Sequence, residues 1–152
     1  MHRKRLQHAA DHLCGMFYGW RQTFCKPRLV DLGTGILEVD ALSGDSRFNG
    51  APIQPLSFAD ELRAWLERHL AEHAIPKAAV CEARVRIDLS FDLIPWDQRT
   101  SNSQLVARGG AAESVPMHRF AARCTSLVRT DEAGYRGKYE YVEKWPVGWP
   151  VV

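Results

Sequence analysis

Hydrophobic residues recur every three or four positions in two stretches of the chain, and each stretch predicts an amphipathic helix. The first covers residues 3–24. The second covers residues 57–74 and opens with Ser57-Phe58-Ala59-Asp60, which fits a capping box in its aspartate form. The predicted apolar stripes consist of Leu6, Ala9, Ala10, Leu13, Cys14, Phe17, Trp20 and Phe24 in the first helix, and Phe58, Leu62, Trp65, Leu66 and Leu70 in the second.

A strict alternation of apolar and polar residues over positions 84–93 predicts a strand with one buried face and one wet face, which is typical of an antiparallel sheet. Two further strands are predicted at about 119–130 and 137–145, joined by a turn at 131–134. Residues 28–53 contain several Gly and Asn turn signals around a short alternating run. They predict a hairpin or a meander.

This order of elements predicts an α+β fold, in which two amphipathic helices pack on one face of a mainly antiparallel sheet of about five strands. The expected order is α-β-β-α-β-β-β, a roll-like layout that broadly resembles the cystatin-like and NTF2-like folds. A likeness of layout implies nothing about function. The 152 residues are the length of one domain, which we place at 1–152.

Charge adds little at the level of the whole chain, since the net charge is only +2. Its distribution is uneven, because residues 1–30 carry six Lys and Arg against one Asp, whereas residues 31–62 carry one Arg against six Asp and Glu. We expect the two segments to neutralise each other across the fold or across a dimer contact. Nucleic acid is an unlikely partner on net charge alone.

The four cysteines are Cys14, Cys25, Cys81 and Cys124, and no two of them form a CxxC pair. Cys14 and Cys124 stand where apolar residues are expected, which indicates reduced thiols in or near the core. A cytoplasmic location is the expectation that follows. The sequence shows no signal peptide and no apolar run of membrane-spanning length, so we expect no membrane association.

Two segments have the pattern His-x-x-acid-His, at residues 8–12 and 69–73. The second resembles the zinc-binding string of the inverted zincins, which implies two histidine ligands and Glu72 as a base. We favour a different interpretation, in which His69 and His73 are buried or half-buried imidazoles near a helix end, and we predict no metal and no cofactor. A helical wheel places His8 and His12 opposite the apolar face. The four histidines are therefore expected to meet only across an oligomer contact.

Residues 29–35 resemble the first motif of the Rossmann-like methyltransferases, in which a glycine loop follows an apolar strand and an acidic residue. The resemblance implies a backbone cradle for S-adenosylmethionine. Residues 36–40 then alternate like a strand, where that family has a helix. We therefore predict a hairpin turn at this position.

No catalytic residue is assigned, because the chain contains neither a Gly-x-Ser-x-Gly elbow nor a P-loop. A ligand site is expected around the second helix, the long polar stretch 95–118 and the last strand. Its candidate residues are Trp65, His69, His73, Trp96, Arg99, Tyr139 and Tyr141.

Our first hypothesis is a non-catalytic binding or interaction protein of the adaptor, immunity or regulatory kind. Its partner is another protein or a second copy, and aromatic residues near both chain ends favour a homodimer. The alternative is an enzyme with a ligand cavity that uses His69 or His73 as an acid or base. A third hypothesis is a nucleic-acid binder. It would combine arginines on strands 84–93 and 119–130 with Tyr139, Tyr141 and Trp96.

Overall fold

The computed structural model of the chain describes residues 2–22, 32–95 and 116–146. The first predicted helix is present as α1, and the second as α2. A single 3-10 turn, Lys77–Ala79, leads from α2 into the long strands. The helices are α1 (Arg3–Gln22) and α2 (Ser57–Glu72), and the strands are β1 (Gly35–Asp40), β2 (Ser46–Phe48), β3 (Ala51–Ile53), β4 (Val80–Pro95), β5 (Pro116–Thr130) and β6 (Gly134–Pro146).

All six strands form one open sheet in the order β3-β2-β1-β4-β5-β6, and every neighbouring pair is antiparallel. The α+β class and the antiparallel sheet are confirmed. The predicted strand count was one too low, because β2 and β3 have three residues each, too few for alternation to be visible. Among the helices and strands given above, the element order is therefore α-β-β-β-α-β-β-β.

The sheet has one covered face and one open face. On β4, Val85, Ile87 and Leu89 are buried beneath the helices, as their alternation predicted. Ile87 is paired with Cys124 on β5, and Cys124 is paired with Tyr139 on β6, so these residues share the covered face. Apolar side chains from both helices and from this face form one continuous core.

Helix α1 lies close against β5 and β6. The hydroxyl of Ser126 donates a hydrogen bond to the carbonyl oxygen of Ala10 at 2.5 Å, and the Gln7 side-chain amide donates to the carbonyl oxygen of Arg136 at 2.7 Å. Gly137 faces the same helix backbone without a side chain, which allows this close approach. Polar bonds as well as apolar packing therefore hold α1 on the sheet.

Helix α2 packs beside α1 and over β1. It begins at Ser57, with Leu56 in the N-cap position, and no side chain caps it there. The predicted start of the helix at Ser57 is confirmed, and the capping box itself stays a prediction. At the other end Ala74 has a positive φ of 53°, and the Ile75 amide donates back to the carbonyl oxygen of Leu70 at 2.9 Å.

The glycine segment before β1 bends the chain between a helical Leu32 and the strand, so the predicted hairpin turn at this position is wrong. Gly33 has a φ of +83°, and Gly35 already belongs to β1. Residues 36–40 are a strand within an antiparallel sheet, as their alternation predicted, and no parallel strand–helix unit surrounds them in the described residues. The part of the methyltransferase-like motif at 29–31 lies outside the described residues.

Two of the four cysteines lie in the core between α1 and β5. Cys14 and Cys124 are both buried, and the Cys14 thiol contacts the carbonyl oxygen of Cys124 at 3.6 Å. The contact with Cys14, together with burial, raises the pKa of the Cys124 thiol far above its usual range. Cys81 is a free, exposed thiol, and Cys25 lies outside the described residues.

Candidate functional site

Five aromatic side chains gather where α1 and α2 lie side by side. We call His8, His12, Trp65, His69 and His73 the histidine–tryptophan cluster. The His12 ring stacks on the Trp65 indole with 4.1 Å between centroids, and the His69 ring stacks on the same indole at 4.7 Å. His8 lies 5.5 Å from His69, and His73 lies 4.7 Å from it.

This arrangement overturns one expectation from the helical wheel. His8 and His12 do lie off the face of α1 that packs on the sheet, as predicted. That flank of α1 is, however, the side against which α2 packs. The two His-x-x-x-His pairs therefore meet within a single chain, and no oligomer contact is needed to bring them together.

His69 occupies the buried centre of the cluster, with 6% of its surface exposed. Its Nε2 atom lies 2.9 Å from the carbonyl oxygen of Arg5, so an imidazole protonated at Nε2 donates a hydrogen bond across the helix contact. Burial with a satisfied hydrogen bond is what we predicted for this residue. The ring contacts Trp65, His8 and His73.

The surroundings of the outer rings disfavour positive charge. Partial burial, followed by the nearby His8 and His69, lowers the pKa of His12 below its ordinary value of 6.5. Desolvation, followed by Arg5 and His69, likewise lowers the pKa of His73, and Glu72 partly opposes that effect. Both surroundings therefore favour the neutral imidazole.

Neutral imidazoles are also common metal ligands, so four of them at one contact raise the question of a metal site. A tetrahedral zinc site needs at least three donor atoms that converge on one point about 2.0–2.1 Å away. No three His, Cys, Asp or Glu side chains are arranged to hold a metal ion within residues 2–22, 32–95 and 116–146. Instead, the His12 and His69 rings stack on the Trp65 indole, and the contacts between imidazoles are tilted or edge-on.

The remaining predicted site residues do not join the cluster. Tyr139 and Tyr141 lie on the covered face of β6, half-buried against the core, as shown by their pairing with Cys124 and Ala122. They stand on the opposite face of the sheet from the arginines, so the predicted aromatic and cationic surface is wrong. Trp96 and Arg99 lie outside the described residues, as does most of the predicted loop 95–118. Trp145 belongs to β6, but its side chain is not described.

The face of the sheet that points away from the helices, which we call the open face, is the second candidate binding surface. Alternation places on it Ile36, Leu127 and Val142 among many charged side chains, and Val142 is 54% exposed. Basic residues outnumber acidic ones there. The basic residues are Arg47, Arg84, Arg86, Arg119, Arg123, Arg129, Arg136 and Lys138, and the acidic residues are Glu38, Asp40, Glu82, Asp88, Asp92 and Glu140.

Ion pairs within strands and between neighbouring strands neutralise most of these charges. Arg123 on β5 lies 3.2 Å from Glu140 on β6, and Arg84 lies 2.7 Å from Glu82 on its own strand. Lys138, followed by Arg123, lowers the pKa of the Glu140 carboxyl. Each of these pairs is exposed, so each contributes little to stability.

A groove of about 420 Å³ crosses the middle of the open face, where the basic residues are concentrated. Thr125, Leu127 and Arg136 are among its lining residues, and Arg136 on β6 is paired with Leu127 on β5. Within the part of the chain that the structure describes, no ion pair involves Arg136. The charged residues that line the groove are Glu38, Arg84, Arg86, Asp88, Arg123 and Arg136.

Alternation predicted that Arg84, Arg86, Arg119, Arg123 and Arg129 share a face. What sequence reasoning missed is that Arg136 joins them, because that requires the register of β6, which pairs Arg136 with Leu127.

Comparison of the chain with known proteins identifies no relative. No protein-family model, no curated protein and no solved structure matched the chain. None of the described helices combines the length and the apolar character that a membrane crossing requires.

Proposed function

We propose that this protein is a non-catalytic interaction protein, and that it binds an acidic segment of another protein on the open face of its sheet. The observation that carries the proposal is the uncovered groove with Arg136 beside it. Among the described residues, helices cover one face of the sheet and no element lies over the other across β1, β4, β5 and β6. A sheet face that keeps apolar residues among charges is suited to a protein partner.

The cavity-enzyme alternative has less support. It requires His69 or His73 to face a substrate as an acid or base. In the structure the Nε2 atom of His69 is bonded to the backbone of Arg5, and its ring lies against Trp65. Tyr139 and Tyr141, the proposed hydrogen-bond donors, are packed against the core beside α1 rather than in the cluster.

Charge complementarity selects the occupant. Three of the four arginines that line the groove are ion-paired, which leaves the Arg136 guanidinium to meet the carboxylates of a ligand. Arg136 offers a planar guanidinium that can bind a carboxylate through two hydrogen bonds. A segment in extended conformation, with acidic residues at alternate positions, would point all of its carboxylates at the groove.

Single-stranded nucleic acid fits this face less well. Such ligands need aromatic side chains on which bases stack, together with a continuous positive groove. The tyrosines Tyr139 and Tyr141 face the opposite side of the sheet, and acidic residues such as Asp88 and Glu140 interrupt the positive charge.

A cytoplasmic location belongs to the same proposal, supported by the free thiols of Cys14, Cys81 and Cys124.

Amide NMR spectra of the labelled protein locate the site directly. The probe is a capped decapeptide of alternating Glu and Val, and the matched control peptide has Gln in place of Glu. We expect the acidic peptide alone to shift amides at 84–88, 123–127 and 136–138, with weaker binding at higher salt.

The proposal is overturned if the acidic peptide produces no shifts at low salt, if its shifts fall on α1 and α2, or if the Gln peptide binds equally well. An oligothymidine of equal charge is the third probe. Tighter binding of that probe on the same amides would replace the protein partner with nucleic acid. Sedimentation in the same buffer shows whether a second copy occupies the face instead, which also counts against the proposal.

A further inference from the structure

We propose that the histidine–tryptophan cluster is a proton-sensitive contact, which releases the C-terminal half of α2 from α1 when the solution becomes mildly acidic. The proposal is independent of what the open face binds. It rests on the packing of four imidazoles at one helix–helix contact. Histidine is the side chain whose charge changes in this pH range.

The distances make the protonated states of the cluster mutually unfavourable. His8 lies 5.5 Å from His69 and 5.8 Å from His12, and His73 lies 4.7 Å from His69. A proton bound by one ring therefore raises the cost of a proton on its neighbours. His69 is buried, so solvent screens its interactions poorly.

The charged groups around the cluster add to this effect more than they cancel it. From α1, Arg5 and His8 face His73, and His8 also faces His12. From α2, His69 faces both, and Glu72 is the one carboxylate that acts on His73. No strand residue contributes to either set within the described residues. Protonation of His12 or His73 therefore builds positive charge at the contact, and among the described residues Glu72 is the one carboxylate that opposes it, at His73.

The sign of the pH dependence follows from the directions of the pKa shifts. The docked state holds the pKa values of His12 and His73 below 6.5, so a state with the helices apart binds protons first. The contact is consequently complete well above pH 6.5. It weakens as the pH falls through 6.5 toward the lowered values.

The hydrogen bonds indicate which helix moves. Helix α1 is held on the sheet by the bonds from Gln7 to Arg136 and from Ser126 to Ala10. The described residues show no such side-chain bond from the C-terminal half of α2 to the sheet. That half is held through Leu66 and Leu70 in the core and through its rings against α1. The last two turns of α2 are therefore the part that loosens.

Amide hydrogen exchange at pH 7.5 and 5.5, corrected for intrinsic exchange rates, tests this in the full chain. The variant H8Q/H12Q removes two titrating rings, of which one is exposed and the other half-buried. The matched control H2Q removes an exposed histidine outside the cluster. In the wild type and in H2Q, we expect protection at residues 66–73 to fall severalfold more than protection in β4 and β5, because release of the contact is linked to protonation of the rings. In H8Q/H12Q the excess should be under about twofold.

The proposal fails if the wild type loses no excess protection at 66–73, or if H8Q/H12Q loses as much as the wild type. NMR titration of the imidazoles provides an independent check should the double variant not fold. We expect both His12 and His73 to titrate below the ordinary histidine value of 6.5. Titration of both at or above that value would also overturn the proposal.

Discussion

Gly137 on β6 lies directly against the backbone of Ala10 on α1. A Cβ atom at position 137 would overlap the Ala10 carbonyl oxygen and would also lie 2.7 Å from the Ser126 hydroxyl oxygen. Backbone atoms cannot swing aside as the end of a flexible side chain can. The helix sits at this height above the sheet because residue 137 has no side chain.

Replacing Gly137 with alanine should therefore destabilise the fold. The added methyl group must push α1 away from β5 and β6, and overpacking of this kind costs about 2 kcal/mol. Urea unfolding of G137A measures the change in the free energy of unfolding. The control is G134A on the same strand, where the nearest atom to the new Cβ would be a flexible Leu127 methyl at 3.4 Å. Equal stabilities for G137A and G134A would contradict this account of the helix position.

Ser126 tests the polar part of the same contact. Its hydroxyl donates to the Ala10 carbonyl oxygen in the buried space between β5 and α1. The variant S126A should lose about 1 kcal/mol of stability, the net value of such a hydrogen bond. The neighbouring T125A on the open face should lose less than about 0.5 kcal/mol. A reversed order in urea unfolding would show that the hydroxyl does not hold the helix.

The thiols provide a test of the core that needs no stability measurement. Cys81 is exposed, whereas Cys14 and Cys124 are buried, and the pKa of Cys124 is raised. In a C25S background, one thiol should react rapidly with a disulfide reagent at pH 8, because thiolates are the reactive form. The other two should react only when urea unfolds the chain. Rapid reaction of two or three thiols in the native protein would contradict the packing of α1 on β5.

Much of the fold could be predicted because the strongest patterns are long. The alternation over 84–93 lies within β4, and the second helix begins at Ser57 as predicted. Short elements were missed where three residues carry no period, as in β2 and β3. Strands β5 and β6 extend beyond the predicted boundaries because their antiparallel pairing runs from the pair Met117–Pro146 to the pair Arg129–Gly134.

The candidate site could be predicted only in part, since it depends on what packs beside each helix. The sequence identified Trp65, His69 and His73 as facing inward. It did not show that His8 and His12 lie against them, because a helical wheel divides α1 into a buried and a solvent face. In the fold, α1 has two neighbours, the sheet below and α2 at its side. The register that separates Tyr139 from the arginines is likewise set by the β5–β6 hairpin.

The dissociation constant of the alternating Glu-Val decapeptide tests the central claim, that the open face binds an acidic segment, most directly. It should be measured at low salt for the wild type, for R136E beside the groove and for R68E on the exposed side of α2. The account predicts that R136E weakens binding about tenfold or more, as expected for reversal of a charge at the contact. It predicts that R68E, with the same change in net charge, stays within about threefold of the wild type. Equal weakening by the two variants, or no weakening by R136E, would contradict the account.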